Sequence, residues 1–141
     1  MKTRNSQTGF SLIELLIVCA IIGIIAAIAI PSLLGAKAAA QEAAAIACLR
    51  VIHSAQASLK VSTGRFGRIS EVNNFYNGDL GVISGPTLKR QTYTYQTVPT
   101  SPSDAQLANS YRVAATGVGF DNVTPYIFVV DESGVISQLA P

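Results

Sequence analysis

One carboxylate, Glu14, lies in the run GFSLIELLIVCAIIGIIAAIAI between Gly9 and Ile30, which is apolar from Phe10 onward and holds no other charged side chain. A carboxylate in such surroundings is costly alone and needs a cationic partner. Chemistry can supply one: hydrolysis of the Gly9–Phe10 bond would leave Phe10 as a new N-terminus with a protonated α-amine. Glu14 follows four residues later, about one helical turn away. In a lipid or protein interior each charge offsets the desolvation of the other. If the amine of one molecule meets the carboxylate of its neighbour, the pair becomes an assembly signal.

The element that positions these groups is a candidate membrane helix. Phe10 to Ile30 is 21 residues, close to the ~20 that span a hydrocarbon core of ~30 Å. Ten large aliphatic side chains between Leu15 and Ile30 favour insertion by about 3 to 6 kcal/mol, against about 2 to 3 kcal/mol for a charged Glu at the centre and less near an end. A secretory signal peptide should have a shorter apolar run and a small-residue cleavage region after it. Here the run is longer and continues past Pro31 into helix-forming sequence. A plain anchor fits the hydropathy but gives no reason for Glu14. Lys2 and Arg4 precede the run and keep that end cytoplasmic under the positive-inside rule.

Gly9-Phe10-Ser11-Leu12-Ile13-Glu14-Leu15, with its basic leader, resembles the class III signal and N-terminal helix of type IV pilins and pseudopilins. The resemblance covers Gly9 to Pro31 and implies a prepilin-peptidase site between Gly9 and Phe10, N-methylation of Phe10, and an assembly contact at Glu14. Gly23 and Pro31 match the family's helix-breaking positions, where the helix is expected to bend or melt. The implied partners are other copies of the chain in a homopolymeric filament, with or without minor pilins, the prepilin peptidase and N-methyltransferase, an inner-membrane platform protein and an assembly ATPase. The implied location is the bacterial inner membrane before assembly, then an extracellular pilus or a periplasmic pseudopilus. No cofactor is implied. The family's common C-terminal disulfide loop has no counterpart, because no cysteine follows Cys48.

Residues 1–9 therefore read as leader and 10–31 as the membrane and filament-core helix. Residues 32–63 are Ala-rich and helix-forming, with Ile46, Leu49, Ile52 and Leu59 at helical spacing for one buried face. Gly64 is the expected C-cap. Residues 64–91, rich in Gly and Asn, read as a connecting αβ-loop with at most a turn of helix near Ser70 and Glu71; Phe66 and Phe75 are its expected anchors into the core. In residues 92–141, TYTYQTV alternates as a half-buried strand, a second strand covers Tyr111–Ala115, and Tyr126–Val130 with Val135–Leu139 form a hairpin around Gly134. The fold expected is α+β: a long helix on a three- or four-stranded antiparallel sheet, the pilin arrangement.

Other chemistry has less support. The net charge is +2; without Lys2 and Arg4 there are eight basic and eight acidic side chains, so no global field attracts nucleic acid. Lys89-Arg90 near Tyr93 and Tyr95 is a faint basic and aromatic patch, and nucleic acid is not an expected partner. His53 has no nucleophile or carboxylate pair around it, and no catalytic residues are assigned; the chain is not expected to be an enzyme. Cys19 and Cys48 are 29 residues apart on the expected helix, too far for a disulfide. No metal site is assigned; Asp121, Asp131 and Glu132 are weak calcium candidates, because major pseudopilins bind calcium in a C-terminal loop and turn chemistry explains the same residues. Gly117-Val118-Gly119 reads as the opening of a turn. The function expected is a structural subunit of a type IV pilus-like filament, with a type II secretion pseudopilin, or a minor tip pilin binding surfaces or DNA, as alternatives.

Overall fold

The computed structural model describes residues 9–118 and 125–140. The chain divides into two compact units, Met1–Ala36 and Lys37–Pro141. Helix α1, Leu12–Thr63, contributes its first part to one and its remainder to the other.

In the first unit α1 is long and apolar enough to cross a membrane, and none of that apolar window is buried within the protein. α1 continues through Gly23 and Pro31 as helix. Proline removes one backbone donor, here the bond to the Ala27 carbonyl. The surrounding Ile, Leu and Ala residues favour helix enough to carry the chain past one missing bond.

In the second unit the rest of α1 lies over a six-stranded antiparallel sheet in the order β1-β2-β3-β4-β5-β6. The strands are β1 Val82–Ser84, β2 Thr87–Arg90, β3 Tyr93–Thr97, β4 Arg112–Val118, β5 Pro125–Asp131 and β6 Ile136–Ala140. The four expected strands are β3 to β6. The two extra strands and helix α2, Ile69–Phe75, occupy the stretch expected to be a loop. Gly85, at φ +59°, makes the tight reversal between β1 and β2, and glycine adopts that backbone without a Cβ clash. A second short helix, α3 (Asp104–Asn109), follows the Pro99–Pro102 loop and is capped by Ser103, whose hydroxyl accepts from the Gln106 N–H.

The core forms where α1 meets one face of the sheet. Ala45, Cys48, Leu49, Ile52 and Ala55 pack with Leu88, Tyr93, Tyr95, Val113, Ala115, Phe128 and Val130. Alternation explains the sheet's share: Tyr95, Ala115 and Phe128 are register partners and face inward together. Gly117 lies within β4, not at a turn, and the Tyr93 ring covers it; a Cβ there would come within 2.4 Å of that ring. The helix stop is as expected: Gly64 has φ +79° and its N–H donates to the Lys60 carbonyl at 3.0 Å.

Candidate processing and assembly site

Gly9, Phe10 and Ser11 precede α1 and are exposed. The Gly9–Phe10 bond is therefore in non-helical backbone, the form a peptidase can bind in an extended cleft. A Cβ built on Gly9 meets nothing within 4 Å, and Gly9 is not at positive φ. Nothing among the described residues requires glycine at this position, which leaves the demand to whatever reads the bond.

Ser11 stands immediately before α1, and its backbone N–H donates to Glu14 Oε2 at 3.0 Å. This is the carboxylate half of a capping box: the residue at the third helical position reaches back to satisfy a donor that no helical carbonyl can accept. Ser11-x-x-Glu14 is its sequence signature, visible in the chain yet overshadowed by the membrane argument. Glu14 thus has two features relevant to assembly. Its negative charge lies at the positive end of the helix dipole, and among the described residues one of its oxygens is engaged, by a backbone partner it can share or exchange.

Elsewhere the predicted residues separate. Asp131 accepts from the Ser133 N–H at 3.0 Å and from its hydroxyl at 2.5 Å, and these bonds hold its carboxyl below the usual range. It is a turn-former, and Glu132 beside it is exposed; Asp121 lies outside the described residues. No cluster of three metal-binding side chains occurs among the described residues. Tyr93 and Tyr95 are buried, so neither offers a ring face to a nucleobase. His53 Nδ1 lies 2.6 Å from the Tyr111 hydroxyl, a hydrogen bond that joins α1 to the sheet. Burial first, then the charges of Asp131 and Glu132, push the Tyr111 phenol above its ordinary range. Cys48 is buried and Cys19 exposed, both unbridged; burial, outweighing its contacts with Tyr95 and Arg90, pushes the Cys48 thiol up. Phe66 packs on Tyr111 with ring centroids 4.8 Å apart, as an anchor should. Phe75 does not: it is 48% exposed, because α2 turns Ile69, Val72 and Asn73 inward instead.

One set of contacts could not be foreseen from spacing. Gln56 is fully buried on α1, donating Nε2–H to the Gly67 carbonyl and accepting from the Gly67 N–H, each at 2.7 Å. Just beyond, Arg65 makes a two-pronged contact with Glu71, at 2.7 and 2.9 Å. Arg68 reaches Asp104 at 2.7 Å, and Lys60 donates to the Ala108 carbonyl at the end of α3. Together these clasp α2 and α3 to the C-terminal end of α1.

The clasp carries a pH signature. The Arg65 hydrogen bonds, opposed by burial and aided by the Arg68 N–H, lower the Glu71 carboxyl from 4.5 to about 2. The unfolded chain therefore takes up this proton first, and the stabilisation is full above 4.5 and is lost as pH falls toward about 2. Glu71's side chain is 36% exposed, so screening leaves a contribution of about 1 kcal/mol or less. We expect the melting temperature of the detergent-solubilised chain to fall between pH 5 and pH 3 by a few degrees more than that of Glu71→Gln, a window of roughly this width following from the linkage. Parallel curves for the two proteins would show that the pair contributes nothing.

The family described as the prokaryotic N-terminal methylation motif matches residues 4–30. The chain is 32% identical over 126 residues to the type IV major pilin protein PilA of Myxococcus xanthus, an alignment covering 84% of this chain and 56% of that protein. It is 38% identical over 55 residues to the type II secretion system core protein G of Vibrio cholerae, covering 39% of this chain and 38% of that protein. The chain thus spans about half the length of PilA and about two fifths of core protein G in these matches.

Proposed function

Because the chain belongs to the type IV pilin and pseudopilin family, we propose that it is a structural subunit of a type IV pilus-like filament, made as a precursor and assembled through α1. The observation that carries the proposal is the methylation motif on a helix start where Gly9–Phe10 is exposed and Glu14 caps the following turn. Before assembly the apolar part of α1 lies in the inner membrane with residues 1–9 on the cytoplasmic side. A prepilin peptidase cleaves after Gly9 and methylates the Phe10 amine. A platform protein and an assembly ATPase then extract the subunit. In the filament the helices bundle, with the amine of one copy against Glu14 of the next. The Gly23–Pro31 stretch is where α1 melts on entering that bundle, since one backbone bond is already missing at Pro31.

N-terminal sequencing of the purified mature chain tests the first step. It should begin at a methylated Phe10; any other start removes the basis for the amine–Glu14 pair. A second reading, a type II secretion pseudopilin, is favoured by the similarity to core protein G over 55 residues. Deleting the gene separates the two: loss of long extracellular fibres marks a pilus, and a secretion defect without fibre loss marks a pseudopilus.

A further inference from the structure

The part of α1 within the second unit presents an exposed strip that includes Ala43, Ala47, Arg50, Ser54, Ser58 and Ser62. Its hydroxyls are already engaged along the helix: Ser54 donates to the Arg50 carbonyl at 3.2 Å, Ser58 to the Ser54 carbonyl at 3.1 Å, and Ser62 to the Leu59 carbonyl at 3.1 Å. Side chains bonded back in this way can be buried without leaving a donor unmet. Arg50 is the exception on the strip. It makes no ion pair among the described residues, whose salt bridges all involve Arg65 or Arg68. Besides Glu14, α1 carries one carboxylate, Glu42, which is half-buried and likewise absent from those pairs.

Arg50 and Glu42 are eight residues apart on the helix, about 12 Å along its axis and about 80° around it. They are too far apart to pair within one chain. Two parallel copies side by side without offset would set Arg50 beside Arg50. Shifting one copy along the axis by about the same 12 Å sets Arg50 level with the neighbour's Glu42. The contact is heterologous, each copy giving its arginine to one neighbour and its glutamate to another, so it propagates as an open polymer.

We propose that this strip of α1 seats a second copy of the chain, with Arg50 of one copy paired to Glu42 of the next and the pair selecting the axial offset between neighbours. This rests on the filament reading above and adds to it a register-setting contact in the second unit, separate from Glu14. The occupant is a copy of this chain because the complementary charges are on the same helix, and a shift of about 12 Å along that helix, with a rotation that turns the two side chains toward each other, brings them together between parallel copies.

Charge reversal in cells carrying the assembly machinery tests it, reading sheared filament yield by immunoblot beside the amount of full-length protein in the membrane. Arg50→Glu, at an exposed position, should lower the yield about tenfold or more, since like charges then face each other across a buried contact. Glu42→Lys should do the same, and the double variant should recover to within about threefold of wild type, a charge pair being retained with its members exchanged. Melting of each detergent-solubilised variant separates assembly from folding, which matters for half-buried Glu42. Filaments at wild-type yield from Arg50→Glu overturn the pairing and leave the filament reading intact. So does a double variant that folds normally but does not recover. Absence of filaments from the wild-type chain overturns the filament reading and the pairing with it.

Discussion

Replacing Glu14 with alanine should leave the protein in the membrane and remove its filaments. Membrane residence depends on the apolar stretch of α1, and losing a carboxylate near one end makes insertion easier. Within the chain the substitution costs one capping bond, Ser11 N–H to Glu14 Oε2, worth about 1 kcal/mol. That is too little to unfold a helix of 52 residues. Between copies the cost is larger. The Phe10 amine of the neighbour would be buried without its counter-charge, and breaking a buried pair by removing one partner costs about 3 to 5 kcal/mol. This penalty recurs at each subunit added, and each 1.4 kcal/mol is about a factor of ten in affinity. We therefore expect sheared filaments to fall at least a hundredfold, with the membrane pool unchanged or increased, by immunoblot of the two fractions. Glu14→Gln isolates the charge, since it can still accept from Ser11 but cannot neutralise an amine; it should fail nearly as badly. Wild-type filament yield from either variant, expressed without the natural chain, would dismiss the amine–carboxylate pair as an assembly contact.

Gln56→Ala should strongly destabilise the second unit. The side chain is fully buried and satisfies both the N–H and the carbonyl of Gly67. Alanine leaves two backbone groups without partners in a place water does not reach easily, at about 1 to 3 kcal/mol each, and opens a cavity as well. A loss of about 3 to 5 kcal/mol follows, which for a unit of this size lowers the melting temperature by more than about 10 °C. Gln56→Glu gives a sharper comparison. It preserves volume and can still accept from the Gly67 N–H, but the unprotonated form faces the Gly67 carbonyl with no donor. Thermal unfolding followed by near-ultraviolet circular dichroism reads both, and a shift under about 3 °C for alanine would mean that the clasp is incidental to stability.

The two predictions differ in how much the chain alone disclosed. Glu14 was conspicuous because its neighbours are all apolar, and the partner proposed for it lies four residues away. Gln56 was inconspicuous: a glutamine on an Ala-rich helix usually faces water, and nothing in the spacing marks it as the residue that meets a glycine eleven positions later. The same contrast runs through the fold. TYTYQTV declared a strand by alternation, and Tyr93, Tyr95 and Thr97 are indeed its buried side. By sequence, residues 82–90 read as loop because Gly85-Pro86 and the nearby Asn and Gly residues weigh as turn formers. Leu88 has no apolar repeat around it, yet it enters the core when β2 pairs with β3 and sets it opposite Tyr95. Gly117 looked like a turn and is the space in which the Tyr93 ring rests. Such assignments depend on contacts between residues far apart in sequence, and local propensity carries no record of them.

What the sequence determined by itself is the front of the molecule: an N-terminal methylation motif that holds the Gly9–Phe10 bond, a lone carboxylate at Glu14, and an apolar helix long enough for a membrane. These are local properties, set by bond chemistry, helix pitch and transfer free energy, and each is readable within one or two turns. The tertiary structure decided the rest of the second unit. It paired six strands instead of four, turned Gln56 and Asn73 inward and Phe75 outward, and gathered Arg65, Arg68, Glu71 and Asp104 into one clasp. Burial is a property of the assembled chain: a side chain's environment comes from whatever the sheet and helices bring against it, and that partner is named nowhere near it in the sequence.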